Sequence, residues 1–191
     1  MAENELNRHE LVVIGGSAGS LEVLLELLPA IKSTVQFAII IVIHRKNPDS
    51  ILVELLKEKT DLLVKEAEEK DEIKAGTIYI APADYHLLVE MDKTISMDFS
   101  EKVHYSRPCI DLTFETAAEV YGSSLAGILL SGANADGAAG LRSIKEHKGL
   151  TIVQDPMEAS VPYMPKQAIE EFEVDHIYTT EQMIRLINTL R

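Results

Sequence analysis

Leu11-Val12-Val13-Ile14-Gly15-Gly16-Ser17-Ala18-Gly19-Ser20 runs directly into Leu21-Glu22-Val23-Leu24-Leu25-Glu26-Leu27-Leu28. A short β-branched run, a glycine turn and leucines at helical spacing (Leu21, Leu24, Leu25, Leu28) predict a strand, a tight turn and an amphipathic helix. Ser17 lies at the middle of the turn in a Gly-x-Ser-x-Gly context. A serine there stands above the strand end, close to the backbone N–H groups of the opening helix, which suits a nucleophile or an anion site.

The same rhythm continues along the chain. Strands are predicted over 10–14, 36–43, 77–80, 86–89, 94–97, 125–131, 150–154 and 175–178, and helices over 20–31, 50–59, 110–121, 137–147, 166–171 and 180–190. The alternation implies an α/β fold, a three-layer α/β/α arrangement with a mostly parallel sheet covered on both faces. The nearly unbroken apolar runs 37–43 and 125–130 fit doubly buried central strands. Residues 73–99 break the rhythm with three short strands in quick succession, which read as a small antiparallel hairpin or meander added to the sheet. The charged run 65–74 reads as a solvated loop or strand margin.

Composition narrows the classes. With 191 residues the chain has the length of one domain with a proper core. The net charge is −13, and the lysines and arginines are scattered, which argues against nucleic acid and anionic membrane surfaces. No apolar run approaches the roughly 20 residues of a membrane span, and the start Met1-Ala2-Glu3-Asn4-Glu5-Leu6-Asn7 lacks a secretory pattern. The single cysteine, Cys109, leaves no internal disulfide and no cysteine-rich zinc site, so a cytoplasmic protein is expected.

Ligands of open parallel sheets bind outside the carboxyl ends of the strands, so polar residues that follow strands are the candidates. Ser17 follows the first strand, His44 the second, and Asp136 lies between the strand 125–131 and the helix 137–147. If those strands are parallel neighbours, a nucleophile, a base and an acid share one rim, the set that acyl transfer needs. Each has a plainer reading: Ser17 or Asp136 as a helix N-cap, and His44 as a strand terminator. Asp155 also follows a strand, so position alone leaves the acid open between Asp136 and Asp155. His86, His104, His9, His147 and His176 are weaker candidates, and no His-x-x-x-His pair offers a metal site. The phosphate readings fail, because Ser17 stands where a dinucleotide fingerprint needs glycine and no Gly-Lys-Ser/Thr follows.

With those residues placed, the chain from about Leu11 to Leu190 resembles the catalytic domain of the CheB-type chemotaxis protein-glutamate methylesterases. Ile14-Gly15-Gly16-Ser17-Ala18-Gly19 looks like the family's nucleophile turn, and Ile43-His44 like its histidine at a strand end. Ser106-Arg107-Pro108-Cys109-Ile110-Asp111 is similar to its Arg-Pro-Ser-Val-Asp segment, and Leu129 to Gly137 resembles its Leu-Thr-Gly-Met-Gly-x-Asp-Gly loop. Gln154-Asp155 and Tyr163-Met164-Pro165-Lys166-Gln167-Ala168 are similar to its closing segment.

The resemblance implies a Ser-His-Asp hydrolase with Ser17 as nucleophile, His44 as general base and Asp136, rather than Asp155, as orienting acid. The backbone amides of Ala18 and Ala133 become the oxyanion and substrate-site candidates. The implied substrates are γ-glutamyl methyl esters on methylated chemoreceptor helices or a similar signalling protein, with glutamine deamidation in some members. No metal or organic cofactor is implied. Residues 1–9 read as a short tail and 10–191 as a single catalytic domain without the receiver domain that members usually carry. The expectation is therefore a stand-alone esterase or a fragment of a longer protein, with a separate or fused regulatory or methyltransferase module as a further partner. Ala18 in place of threonine, Ala133 in place of methionine and Asn134-Ala135 in place of Gly-Asn depart from the family pattern. They leave room for a non-catalytic signalling module of the same fold, or for a serine esterase acting on another acyl substrate. Arg45, Lys46 and Arg107 are placed by their loops to offset the acidity near the site.

Overall fold

The computed structural model of the protein describes residues 8–45 and 51–191. Its elements in chain order are β1 (Leu11–Gly16), α1 (Ser20–Ala30), β2 (Ala38–Ile43), α2 (Leu52–Lys57), β3 (Leu63–Glu66), β4 (Thr77–Ile80), β5 (His86–Val89), β6 (Ile95–Asp98), α3 (Ile110–Tyr121), β7 (Leu125–Leu129), α4 (Ala138–Glu146), β8 (Leu150–Gln154), α5 (Tyr163–Glu171), β9 (His176–Tyr178) and α6 (Thr180–Ile187). Among the described residues, seven strands form one parallel sheet in the order β3-β4-β2-β1-β7-β8-β9, and β5 and β6 pair antiparallel beside it.

The central strands show why the apolar runs are unbroken. Along β1, Leu11 and Val13 face one core and Val12 and Ile14 the other. Along β2, Ala38, Ile40 and Val42 alternate in the same way with Ile39, Ile41 and Ile43. A strand buried on both faces has no polar side to alternate with. The first core lies under α3, α4 and α5, where Ile110, Phe114, Leu141, Ile144 and Met164 are fully buried. The second lies under α1, α2 and α6, with Leu24, Leu28, Leu56, Met183 and Ile187.

Chain order reverses between β1 and β7, where the first crossover runs to β2 on one side and the last strands extend on the other. That switch point is where parallel sheets open a crevice. Ser17, His44 and the loop carrying Asp136 all leave the carboxyl ends of β1, β2 and β7, which are adjacent.

Some expectations shift. β1 runs on through Gly15 and Gly16, so the turn begins at Ser17. β4 belongs to the parallel sheet rather than to a meander, and only β5 and β6 form the antiparallel pair. Part of the charged run is a strand: Lys65 and Glu66 close β3, an edge strand whose outer positions are solvated. α5 begins at Tyr163, three positions before the predicted start, because Pro165 sits in its first turn, where a missing N–H costs nothing. Ser50, where the second helix was expected to begin, and Lys46 lie outside the described residues.

Candidate active site

Gly15 lets α3 close on β1. A Cβ there would lie 2.4 Å from Ile110 Cγ2 and 3.0 Å from the Phe114 ring, so only glycine permits this approach. The N-terminus of α3 is thereby held over the strand end. The turn that follows is pinned from the other side. Ser17 N–H donates to the Ser131 carbonyl at 2.9 Å, and Ser131 Oγ donates to the Ala18 carbonyl at 2.7 Å. Gly19 adopts φ 81° as the N-cap of α1, so Ser17 is not that helix's cap. Instead the Ser17 carbonyl accepts from Ser20 Oγ at 2.6 Å. Among the described residues, the Ser17 hydroxyl and the Ala18 and Ala133 amides make no hydrogen bond to the protein, and both alanines are exposed.

His44 extends β2 by one backbone hydrogen bond, from its N–H to the Gly16 carbonyl at 3.2 Å. Its Nε2–H donates to Asp136 Oδ2 at 2.6 Å. The Asp136 side chain is fully buried, and that of His44 is 11% exposed. Asp136 does not cap the helix it precedes; Gly137 takes that position. Its carboxylate lies across the N-terminus of α3, where Oδ2 accepts from the Ile110 amide at 2.7 Å and Oδ1 from the Asp111 amide at 2.9 Å. The Cys109 thiol lies 3.2 Å from the same Oδ1.

Asp111 returns the favour: its Oδ1 accepts from the Gly137 amide at 2.9 Å and the Gly140 amide at 2.6 Å, at the start of α4. Each helix is thus capped by an aspartate that belongs to the other's neighbourhood. Each carboxylate satisfies orphan amides and meets a positive helix end.

These contacts decide the charges. Burial opposes ionisation of Asp136, but the hydrogen bond from His44 and the amides of Ile110 and Asp111 outweigh it and hold the carboxyl below its ordinary range. At Asp111 the Gly137 and Gly140 amides do not offset burial. Burial, and then the charge of Asp136, push its carboxyl up to about 6. Burial, and then Asp136, also push the Cys109 thiol up, so it stays protonated and acts as a donor.

With Nε2 engaged by Asp136, Nδ1 is the ring nitrogen of His44 left for another partner. Ser106 Oγ lies 3.4 Å from that nitrogen. Ser17, His44, Ser106 and Asn134 line one cleft of about 620 Å³, whose far wall carries Lys102, His104 and Tyr105. His104 and Tyr105 both adopt left-handed φ, 50° and 61°, at the tip of the short turn closed by Val103 and Ser106. Tyr105 is 98% exposed there. His104 Nε2 lies 3.2 Å from Asp111 Oδ2. His104, Asp111 and Asp136 offer ligand atoms within 4.8 Å of one another, but the two carboxylates are already engaged by amides.

Asp155 lies elsewhere, in a local turn where Oδ1 accepts from the Met157 amide at 2.9 Å. His86 is fully buried between the Cys109 amide (3.1 Å to Nδ1) and the Glu101 carbonyl (3.0 Å from Nε2). The expected basic rim is largely spent within the protein. Arg45 pairs with Glu66, and Arg107 pairs with Asp84 at 2.8 Å and packs over Phe99.

Sequence reasoning quoted Ser106 to Asp111 as a segment similar to the family's but gave Ser106, Cys109 and the amides of Ile110 and Asp111 no place in the site. One signal was present: the helix predicted from 110 has a cysteine, a poor cap, just before it, so its orphan amides needed a partner from elsewhere in the chain.

No described helix is long and apolar enough to cross a membrane. The model of the CheB methylesterase family matches residues 12–187. The chain is 45% identical over 179 residues to a protein of Leptospira interrogans, covering 93% of each. It is 39% identical over 171 residues to protein-glutamate methylesterase/protein-glutamine glutaminase 1 of Carboxydothermus hydrogenoformans, covering 86% of this chain and 50% of that protein. The crystal structure of the Thermotoga maritima CheB methylesterase catalytic domain superposes with a TM-score of 0.90 at 32% identity, over 96% of this chain and 99% of that one.

Proposed function

The chain belongs to the CheB methylesterase family, and from that premise we propose that it hydrolyses γ-glutamyl methyl esters on the cytoplasmic helices of a chemoreceptor-type signalling protein. Residues 10–191 form the catalytic unit, which works in the cytoplasm. The observation that carries this reading is the 2.6 Å contact between His44 and a fully buried, amide-held Asp136 at the cleft that Ser17 also lines.

In the proposed reaction Ser17 Oγ attacks the ester carbonyl and its proton passes to His44 Nδ1. Asp136 keeps the other proton on Nε2, fixes the tautomer and stabilises the imidazolium. The Ala18 and Ala133 amides, which have no acceptor among the described residues, receive the oxyanion; one such donor is worth about 10²–10³ in rate. His44 returns the proton to the departing methoxide, methanol leaves, and water activated by His44 then releases the glutamate from Ser17. An amide in place of the ester loses ammonia by the same path, which makes glutamine deamidation a second outcome of one machinery.

The test is methanol release from a methylated receptor cytoplasmic fragment by the wild-type chain and its Ser17→Ala variant. Loss of release on that substitution alone supports the assignment. The 3.4 Å contact of Ser106 with His44 favours a second reading, in which Ser106 carries the acyl group. Labelling with a serine-reactive phosphonate separates the two: modification at Ser106 with Ser17 untouched would displace Ser17 as nucleophile.

A further inference from the structure

We infer that the thiol of Cys109 is a positioning residue for the Asp136–His44 pair, setting through Asp136 how firmly His44 holds a proton. The inference rests on the catalytic roles proposed above for those two residues. Asp136 accepts from four donors: His44, Cys109 and the amides of Ile110 and Asp111. Two are main chain and the third is the reacting base. Cys109 is thus the donor whose strength a side-chain change can tune without touching the base.

The thiol is placed by its own backbone. The Cys109 N–H is held by His86 Nδ1 at 3.1 Å, and His86 is anchored in turn to the Glu101 carbonyl at 3.0 Å. Cys109 is fully buried, so the Sγ–Oδ1 contact of 3.2 Å excludes water. The raised thiol pKa keeps the hydrogen on sulfur, so the contact is a donation to a carboxylate. A thiol is a weak donor. It relieves Oδ1 less than a hydroxyl would, leaves more negative charge facing Nε2, and so favours the imidazolium. The other groups around His44 are Arg45 beside it in the chain, Ser106 next to its Nδ1, Asp84, Lys102, His104, Tyr105 and Arg107 along the same cleft, and Asp111 on α3. All are unchanged by a substitution at residue 109, so a difference between variants reports the donor alone.

The experiment compares the full chain with Cys109→Ser, a stronger donor, and Cys109→Val, a non-donor of similar bulk. Two readings are taken: the pH dependence of kcat/KM for methanol release, and the His44 imidazole titration by NMR. The Ser variant should move the acid limb and the imidazole midpoint down by about half a unit, and the Val variant up by about as much. At pH values below the limb this reads as about a threefold gain and a threefold loss in kcat/KM, with KM within about twofold of wild type. Opposite shifts distinguish a donor from a packing group, which would move both variants alike. Unchanged midpoints, or shifts of one sign, in folded variants would overturn the inference; should the Val variant not fold, Cys109→Ala takes its place as the non-donor. The imidazole titration needs no turnover. Opposite midpoint shifts without methanol release from any variant would therefore sink the esterase reading and leave the thiol's role standing.

Discussion

The sides of the cleft that carry Asp136 and Ser17, the acid and the nucleophile proposed above, are built differently. Asp136 is fully buried, closed in by donors from α3 and locked to α4 through Asp111. Ser17 and His44 are only partly buried, and the Ser17 hydroxyl has no partner among the described residues. The acid side is therefore part of the fold's own stability. The Ser17 side is held by its backbone, through Ser131 and Gly19, and leaves the hydroxyl uncommitted. The contrast suits the proposed chemistry. A carboxylate that must stay ionised in the interior needs its donors in place before substrate arrives, whereas a hydroxyl that must attack cannot be tied down.

Variants can break that contrast. Ser17→Ala should cost about 10⁴-fold or more in kcat and leave the melting temperature within about 2 °C of wild type, measured by methanol release and calorimetry. A large fall in melting temperature would mean that the hydroxyl is structural after all. Asp136→Ala should cost about 10³–10⁴ in kcat and also about 2–4 kcal/mol in stability by urea unfolding, because two buried helix amides lose their acceptor. An inactive but undiminished fold would refute the claim that this side of the cleft is load-sharing. Gly15→Ala tests the link between strand and helix. The added methyl meets Ile110 at 2.4 Å, so a loss of about 1–3 kcal/mol is expected, together with weaker activity as the α3 amides move off Asp136.

The smallest effect is in the pH dependence. Asp111 binds its proton more tightly in the fold than its ordinary value of 3.8, up to about 6. Its contribution to stability is fully present below about 3.8 and is lost as pH rises through about 6. Asp136 has the opposite sign: its contribution is present above 3.8 and is lost as pH falls through its lower native value. Asp111→Asn keeps an oxygen for the Gly137 and Gly140 amides and should flatten the decline between pH 4 and 6 in denaturant titrations. An unchanged slope in that window would assign the titration to another group.

The β-α rhythm, the doubly buried strands and α3 over 110–121 were legible because a strand buried on both faces and a helix with one apolar stripe write their surroundings into the residue pattern. β3 was not, because an edge strand with Lys65 and Glu66 in it and an exposed Leu63 carries the composition of a loop. Ser17, His44 and Asp136 were legible as polar residues leaving strand ends, and their convergence then required only that β2, β1 and β7 be neighbours. The donors to Asp136 were hidden. Two are backbone N–H groups, which every non-proline residue possesses, about 25 positions away in the chain. Position in the sequence does not separate Asp136 from Asp155; the loop geometry turns the first carboxylate toward His44 and closes the second on the Met157 amide.

The exchange of caps between α3 and α4 has a consequence for motion. The first amides of a helix ordinarily trade hydrogen with solvent quickly, since no turn precedes them. Here the amides of Ile110, Asp111, Gly137 and Gly140 are each bonded to a buried carboxylate that borders the other helix. They can exchange deuterium only when the two helices part, so four sites usually among the fastest become reporters of a sub-global opening. That opening also uncovers Asp136, and the loss of the acid from its cradle and the loss of tertiary protection become a single event.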